Sequence, residues 1–294
     1  MRDKRMGANM FRSSFLVAAF LLLLPPTAQA ALTRVWVSAQ GVDAPTCGPL
    51  SAPCRQIKYA LDNAIVAPGG EIDIRNSAGF APFTIAQAVS IVNDGAGVAS
   101  IQAAPGGSAV KVAAAASDGV LLKGLTIDGV GAGKNGLEIL SAARIVISDF
   151  TIKNVTNGIV LSFGVASSQL NFSIRDSLIH KTTNGIFVSS NGTAFVAGEI
   201  SHVAISDSDL GIFFLAGAKA LLTDVSISEA RTAGLFISNG TKPATVTLTK
   251  CSITNNEIGV DNEFKVFSYG DNAINGNISS DILNPASVTR VTPQ

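Results

Sequence analysis

Charged and aromatic residues are scarce in this chain of 294 residues. Only 14% of the residues are charged and 6% are aromatic, with a single tryptophan, whereas 47% are hydrophobic. So little charge excludes a disordered chain and predicts a large apolar core. No block of basic residues is present either, which argues against nucleic acid as a partner.

Long apolar runs are missing as well, except for one near the N-terminus. Residues 15–24 (FLVAAFLLLL) follow several basic residues and precede a small-residue cleavage pattern, Ala28-Gln29-Ala30. This pattern predicts a signal peptide over residues 1–30 and a secreted or periplasmic mature protein. The run is too short to cross about 30 Å of hydrocarbon, so we expect no membrane span in the mature chain.

Cysteine is limited to three residues. Cys47 and Cys54 lie seven positions apart in the stretch TCGPLSAPC, and export would place them in an oxidising compartment. A local disulfide is therefore favoured, worth roughly 2–3 kcal/mol through loop closure. A zinc site is the weaker alternative, because neither His180 nor His202 has a ligand-like spacing to a cysteine. Cys251 is left without a partner.

Two short phrases recur along the chain. One ends in isoleucine (GLTI, DFTI, DSLI, HVAI, DVSI, KCSI, DNAI), and the other contains a glycine before an apolar run (NGLEIL, NGIVLS, NGIFVS, LGIFFL, AGLFIS, IGVDNE). The glycines are 22 to 27 residues apart: Gly136, Gly158, Gly185, Gly211, Gly234 and Gly259. This period, with apolar residues alternating every two positions, predicts a solenoid whose coils each contain at least two short strands. Leucine-rich repeats share the period, but their leucine consensus is absent.

The register of the repeat assigns side chains to the interior and to the turns. One inward column is predicted to contain Leu125, Phe150, Ser177, Val203, Val225 and Cys251. Its last member, Cys251, is therefore interpreted as a core residue and not as a nucleophile. The turns are rich in asparagine, which suits left-handed conformations and side-chain ladders: Asn154, Asn157, Asn184, Asn255 and Asn256. Each glycine opens the second strand, where we expect a sharp change of backbone direction.

The repeat, together with the entry segment RVWVSAQGVDAPTCGPLSAPCRQIKYALDNAIV, resembles the pectin-lyase-like superfamily. The resemblance covers nearly all of the mature chain and implies an all-β, single-domain, right-handed parallel β-helix. The repeat period predicts about nine coils from roughly residue 70 to 285. Residues 31–69 would form an N-terminal strand, the cysteine loop and a short capping helix, and residues 70–294 the β-helix with its C-terminal tail. The helix is expected to plug the first coil with one apolar face: Ile57, Ala60, Leu61, Ala64 and Ile65.

One outward column contains residues with catalytic chemistry. The position before the inward column is occupied by Asp149, Asp176, His202, Asp224, Lys250 and Asp271. Coils about 4.8 Å apart would bring Asp149 and Asp176 near the separation of the carboxylate pair in a retaining glycosidase. The first four residues of the column are therefore catalytic candidates. The favoured alternative is turn chemistry, since Asp and Asn are common at such positions.

The catalytic motifs of the enzymes in this superfamily are absent or incomplete in this chain. The Asn-Thr-Asp, Asp-Asp, Gly-His-Gly and Arg-Ile-Lys motifs of polygalacturonases are absent. Pectate lyases pair calcium-binding carboxylates with a basic residue, and Arg175 beside Asp176 only approximates that pattern. A calcium site at Asp207-Ser208-Asp209 is a weak candidate, because such sites usually gather six or more oxygens. Otherwise no cofactor or metal is expected.

The second outward column is apolar in its middle. The glycine phrases place Val160, Phe187, Phe213 and Phe236 outside, between Glu138 and Asp261. Exposed apolar patches of this kind mark a partner, a ligand groove or a surface that another segment covers. The C-terminal tail, residues 284–294, is the candidate cover, and the two interpretations carry equal weight. Sugar stacking usually employs Trp or Tyr, which this stripe lacks.

These features predict an exported β-helix protein that binds extended polymers without strong catalysis. The expected partner is a polysaccharide or another surface protein. The alternative is a carbohydrate-active enzyme: a polysaccharide lyase, a glycoside hydrolase or an epimerase. A glycan panel discriminates between the two classes, because only the enzyme would create new unsaturated or reducing ends.

Overall fold

The computed structural model describes residues 30–164, 169–190, 194–238 and 242–292. The predicted signal peptide lies outside these residues, except for Ala30. Strands make up 65% of the structure and helix 3%, which confirms the all-β class. Within the described ranges, no helix is long and apolar enough to span a membrane.

Short connections join the strands. In chain order they are β1 (Leu32–Val37), β2 (Val66–Ile74), β3 (Ala78–Phe80), β4 (Phe83–Ile85), β5 (Val89–Val92), β6 (Ala99–Gln102), β7 (Ser108–Ala113), β8 (Gly119–Lys123), β9 (Leu125–Ser141), β10 (Arg144–Ser148), β11 (Thr151–Phe163), β12 (Gln169–Ser190), β13 (Phe195–Ala216), β14 (Ala218–Thr223), β15 (Ser226–Ile237), β16 (Thr245–Thr249), β17 (Ser252–Thr254), β18 (Ile258–Asn262), β19 (Val266–Ser268), β20 (Ala273–Asn275), β21 (Ser280–Ile282) and β22 (Val288–Arg290). Helix α1 (Ile57–Asp62) lies between β1 and β2, and a 3-10 turn (Pro285–Ser287) precedes β22. The longest strands bend at corners and run along more than one side of the coil.

The strands stack in parallel to form a right-handed β-helix of about eight turns, close to the nine that the repeat predicts. Face 1 contains β1, β2, β5, β8, β10, β14, β16, β19 and β22, with the first parts of β12 and β13. Face 2 contains β3, β6, β17 and β20, with the starts of β9, β11 and β15 and the middles of β12 and β13. Face 3 contains β4, β7, β18 and β21, with the ends of the five long strands. The two sequence phrases correspond to faces 2 and 3, and face 1 lies on the arc of variable length.

One continuous apolar core fills the coil, because alternate side chains of each strand point inward. The predicted inward column is buried from Leu125 to Cys251. Cys251 is a free thiol that is 2% exposed, and its Sγ lies 3.4 Å from the carbonyl oxygens of Leu222 and Thr249. Burial raises the pKa of this thiol. The interpretation of Cys251 as a core residue is therefore confirmed.

Residues in the left-handed conformation make the corners of the coil. Between faces 1 and 2 these are Asp149, Asp176, His202, Asp224 and Lys250, with φ from 51° to 58°. Between faces 2 and 3 they are Asn154, Lys181, Asp207, Glu229 and Asn255, with φ from 49° to 58°. Asn and Asp tolerate this region better than most residues, because their short polar side chains can bond locally to the backbone.

The glycine column does not turn the chain, so the conformational reason that we expected for it is wrong. Gly185 and its equivalents do not adopt a positive φ. They are needed because adjacent coils approach closely at this point. A Cβ atom on Gly185 would lie 2.5 Å from the carbonyl oxygen of Gly211 and 2.7 Å from Cγ2 of Ile205. Lack of space, and not backbone freedom, requires glycine here.

Helix α1 covers the N-terminal end of face 3, packed against β4 and β2. The side chains of Ile57 and Ala60, both in α1, are buried. The predicted disulfide is present between Cys47 and Cys54, whose Cα atoms are 4.9 Å apart. The predicted helical face is wrong beyond Leu61, because α1 ends at Asp62. Ala64 is exposed with φ 50° in the turn that leads into β2, and Ile65 is buried but lies outside the helix.

Candidate functional site

Face 3 presents an outward ladder with one side chain from each coil. Along the axis it contains Thr84, Lys111, Glu138, Val160, Phe187, Phe213, Phe236 and Asp261, which are register partners on successive strands. We call this row the face-3 ladder. It is polar and basic at its N-terminal end, apolar in the middle and acidic at its C-terminal end.

The middle of the face-3 ladder is the phenylalanine stripe, Phe187, Phe213 and Phe236. The ring centroids of the first two are 5.1 Å apart, with an angle of 54° between the planes. Those of the last two are 4.9 Å apart at 29°. All three rings are partly exposed. Val160 was also expected outside, but it is only 7% exposed, because it lies between the larger side chains of Glu138 and Phe187 on adjacent strands.

The C-terminal tail does not lie over the stripe in the described part of the chain. Through Thr292 it completes the last coil, where β22 pairs with β19 on face 1. Asn284 Nδ2 donates a 2.9 Å hydrogen bond to the carbonyl oxygen of Asn262, which fixes the start of the tail to that coil. The described tail therefore does not cover the stripe, and the interpretation as a surface for a ligand or partner is left.

An amide ladder at the start of the face-3 strands leads up to the first ring of the stripe, Phe187. Asn184 Nδ2 donates to Asn157 Oδ1 at 2.7 Å, and Asn157 Nδ2 donates to Asn135 Oδ1 at 2.8 Å. Asn135 in turn donates to Ser108 Oγ at 3.2 Å. Of the predicted turn asparagines, Asn157 and Asn184 form such a ladder, whereas Asn154 and Asn255 adopt the left-handed conformation. The ladder ends at the coil of Phe187, because Leu210 and Ala233 occupy the equivalent positions beside Phe213 and Phe236. The spacing of the phenylalanine rings is therefore set by the parallel pairing of the strands.

A cavity of about 400 Å³ opens at the N-terminal end of the face-3 ladder. It is lined by α1, β4, β7 and the middle of β9, and three lysines face it: Lys58, Lys111 and Lys134. Lys58 is paired with Asp62. Lys111 and Lys134 make neither an ion pair nor a side-chain hydrogen bond within the described residues. Three cations thus face two carboxylates, Asp62 and Glu138, and the cavity is basic.

Sequence analysis missed this lysine cavity. The segment Ala109-Val110-Lys111 stands one coil before Gly136-Leu137-Glu138 in the same register. It was overlooked because alanine replaces the glycine that marks the other coils. Extending the outward column by one coil would have found Lys111, but Lys58 and Lys134 come from other parts of the coil and needed the tertiary structure.

The four catalytic candidates lie side by side on the corner between faces 1 and 2, as the register predicts. Asp149, Asp176, His202 and Asp224 are all exposed. His202 Nε2 is 3.6 Å from Asp224 Oδ2. These residues share a left-handed backbone conformation, which Asp tolerates well. This conformation explains the Asp residues at three of the four positions, and no catalytic role is needed to explain them. Their catalytic role stays a prediction.

The calcium candidate, Asp207-Ser208-Asp209, is engaged by an arginine. Arg231 donates to Asp209 Oδ1 at 2.8 Å and to Asp207 Oδ1 at 2.6 Å, and hydrogen bonding to Asp209 is the main cause that raises the pKa of Arg231. Ser208 points inward and is fully buried. In the described ranges, no group of three or more His, Cys, Asp or Glu residues is placed to hold a metal ion. This arrangement gives the calcium candidate no support.

The stacked parallel faces and the repeat define a right-handed β-helix protein with a pectin-lyase-like fold. Residues 97–281 match the family described as periplasmic copper-binding protein (NosD), and the chain belongs to this family. The crystal structure of alginate lyase from Paenibacillus sp. str. FPU-7 aligns with 75% of this chain and 93% of that chain, at 16% identity and a TM-score of 0.49. A comparison with curated proteins found no match.

The residues that the structure describes do not fit a copper site. Copper is bound by thiolate, thioether and imidazole groups. After residue 29 the chain has no methionine and two histidines. Of its three cysteines, two form the disulfide and Cys251 is buried. His180 lies on face 2 and His202 on the corner beside face 1, in different columns. The described residues therefore offer no cluster of copper ligands.

Proposed function

We propose that this protein is an exported β-helix that binds an extended polysaccharide along face 3 without strong turnover. The observation that carries the proposal is the phenylalanine stripe: three partly exposed rings, one per coil, with centroids 5.1 and 4.9 Å apart. The family description as periplasmic supports an exported protein.

The spacing of the rings suits a polymer better than a small molecule. Coils follow one another at about 4.8 Å, which is close to the length of one pyranose unit in an extended glycan. The exposed parts of the three rings form one continuous apolar strip, along which successive sugars of a chain can lie. The platform is rigid, because the parallel strands hold each coil against the next. A long, shallow and rigid surface of this kind matches a chain-like ligand.

The exposure of the stripe also needs an explanation. Three adjacent aromatic rings at a solvent surface are costly to hydrate, and the described tail does not cover them. Face 1 also has outward aromatic residues, Phe195 and Phe267, but they are separated from one another. A ligand on face 3 would remove the apolar surface from water, which gives the binding a hydrophobic driving force.

Binding is tested with a panel of soluble glycans and the purified protein, measured by calorimetry. The triple variant Phe187→Ser, Phe213→Ser and Phe236→Ser should lose at least about tenfold in affinity. Each substitution removes the stacking energy of one ring, roughly 1 kcal/mol or more. The matched control is Phe267→Ser, an outward phenylalanine on face 1, which should bind as the wild type does. Failure of every glycan to bind, or full binding by the triple variant, would reject the proposal.

A carbohydrate-active enzyme is the second candidate, and the contact between His202 and Asp224 is the observation in its favour. An imidazole nitrogen 3.6 Å from a carboxylate oxygen, with Asp176 on the next coil, is a candidate acid–base pair. The same glycan panel, followed for new unsaturated or reducing ends, separates this candidate from a binding protein.

A further inference from the structure

We infer that the lysine cavity is a subsite for acidic groups of the glycan, so that the ligand is a carboxylate-bearing polysaccharide and not a neutral one. The inference rests on the proposed function, because it concerns the same face and extends the same ladder. It names the chemical class of the ligand and the end of the site that recognises its charge.

The charges in the cavity favour an anionic ligand. Lys58 is neutralised by Asp62, and Glu138 accepts a 2.8 Å hydrogen bond from Ser108 Oγ. Lys111 and Lys134 keep all their donor capacity within the described residues. An ammonium group binds a carboxylate by charge-assisted hydrogen bonds, which are about twice as strong as neutral ones. Two such groups at the edge of one cavity are suited to anionic substituents.

The size and position of the cavity suit a ligand that is several sugar units long. Its volume, about 400 Å³, lies within the range of small-molecule sites. Lys111 is on the same ladder as the stripe and precedes Phe187 by three strands, which is roughly 14 Å. A ligand that reaches both must therefore be several sugar units long. Glu138 and Val160 lie between the two parts of the site and continue one surface.

The far end of the ladder has the opposite charge. Asp261 follows Phe236 directly, and Glu263 is close enough to contribute to the raised pKa of Asp261. An acidic glycan would be repelled from this end and attracted to the lysine end. The charge gradient therefore gives the bound chain a preferred position, with its acidic units at Lys111 and Lys134 and its apolar ring faces on the stripe. The lysine cavity is local, since the chain as a whole has no excess of basic residues.

The experiment compares an oligogalacturonate with a cello-oligosaccharide of equal length, by calorimetry on the exported protein. The test variant is Lys111→Met with Lys134→Met. The charge-matched control is Lys219→Met with Lys265→Met, which removes two exposed lysines outside the cavity. Thermal unfolding of all variants checks that the exposed substitutions leave the fold intact.

The acidic oligomer should bind the wild type at least about tenfold more tightly than the neutral one at low salt. The Lys111/Lys134 variant should lose about that factor, and the Lys219/Lys265 control should lose little. Salt near 1 M, where the Debye length is about 3 Å, should remove most of the preference.

Three results overturn the inference while the proposed function survives. One is equal, stripe-dependent affinity for both oligomers, and another is acidic binding that the Lys111/Lys134 variant retains. The third is tighter, lysine-dependent binding of a single-stranded oligonucleotide of equal charge, which would reassign the cavity to another class of polymer while glycan binding persists. If neither sugar binds the wild type, the proposed function and the inference fail together.

Discussion

Phe236 and Asp261 are register partners on consecutive coils of face 3, so a carboxyl group lies directly beyond the last ring of the phenylalanine stripe. Burial, and secondarily the charge of Glu263, raise the pKa of Asp261. The ionised form is disfavoured because neither water nor a cation compensates the charge fully beside an apolar ring. The stripe therefore ends at a group whose charge costs stability.

Replacing Asp261 with asparagine should stabilise the protein at neutral pH but not at low pH. The folded state holds its proton more tightly than the unfolded state, so the carboxyl group destabilises the fold as pH rises above its unfolded value near 4. Thermal unfolding of the wild type and Asp261→Asn at pH 7 and pH 3 measures this difference. Asp94→Asn is a control for which the opposite change in stability is expected, because a hydrogen bond from Lys123 lowers the pKa of Asp94. That variant should lose stability at pH 7 and not at pH 3.

Gly185→Ala should destabilise the β-helix by about 1–3 kcal/mol, the usual cost of overpacking. The new Cβ would lie 2.5 Å from the carbonyl oxygen of Gly211, and backbone atoms on both coils would have to move apart. Urea unfolding gives the free energy. Gly119→Ala, where no atom lies within 4 Å of the added Cβ, should change it by less than about 0.5 kcal/mol. Equal effects of the two substitutions would contradict the explanation of the glycine column.

The corner residues Asp149, Asp176 and Asp224 should tolerate asparagine, because Asn also adopts the left-handed conformation. We expect Asp149→Asn, Asp176→Asn and Asp224→Asn to fold normally and to bind glycan as the wild type does. Asp176→Val should cost about 1–2 kcal/mol, since a β-branched residue is strained at φ 51°. Robust glycan turnover that any one of the asparagine variants abolishes would instead identify a catalytic site on this corner.

Thr182 and Ser208 are register partners whose hydroxyl oxygens are buried without a hydrogen-bond partner in the described residues. Removing both hydroxyl groups, as in Thr182→Val with Ser208→Ala, should therefore leave stability unchanged or raise it by up to about 1–3 kcal/mol. Ser177→Ala is the contrasting variant, because Ser177 Oγ accepts from the Phe150 amide and donates to the Arg175 carbonyl. It should lower the unfolding temperature. A loss of stability in the double variant would mean that the two hydroxyl groups have partners in solution.

Much of the fold follows from the repeat in the sequence. The glycine and isoleucine phrases recur once per coil, and their alternation separates inward from outward side chains. The buried column from Leu125 to Cys251 and the row of three phenylalanines followed from that register, and the disulfide followed from the short spacing of Cys47 and Cys54. These features depend on local period and spacing, which a linear sequence preserves.

The repeat therefore specifies the coil, its interior and the composition of its outward columns. Which segments meet across coils depends on how the coils stack. Lys58 comes from α1, Lys111 from β7 and Lys134 from β9, and no spacing along the chain brings them to one cavity. The path of the tail away from the stripe was likewise decided by β22, which pairs with β19 on face 1. The role of the glycines also depends on stacking, because the constraint is the carbonyl group of the next coil, more than twenty residues away. A repeat specifies what each coil looks like, whereas contacts between non-equivalent parts of different coils arise only once the coils are stacked.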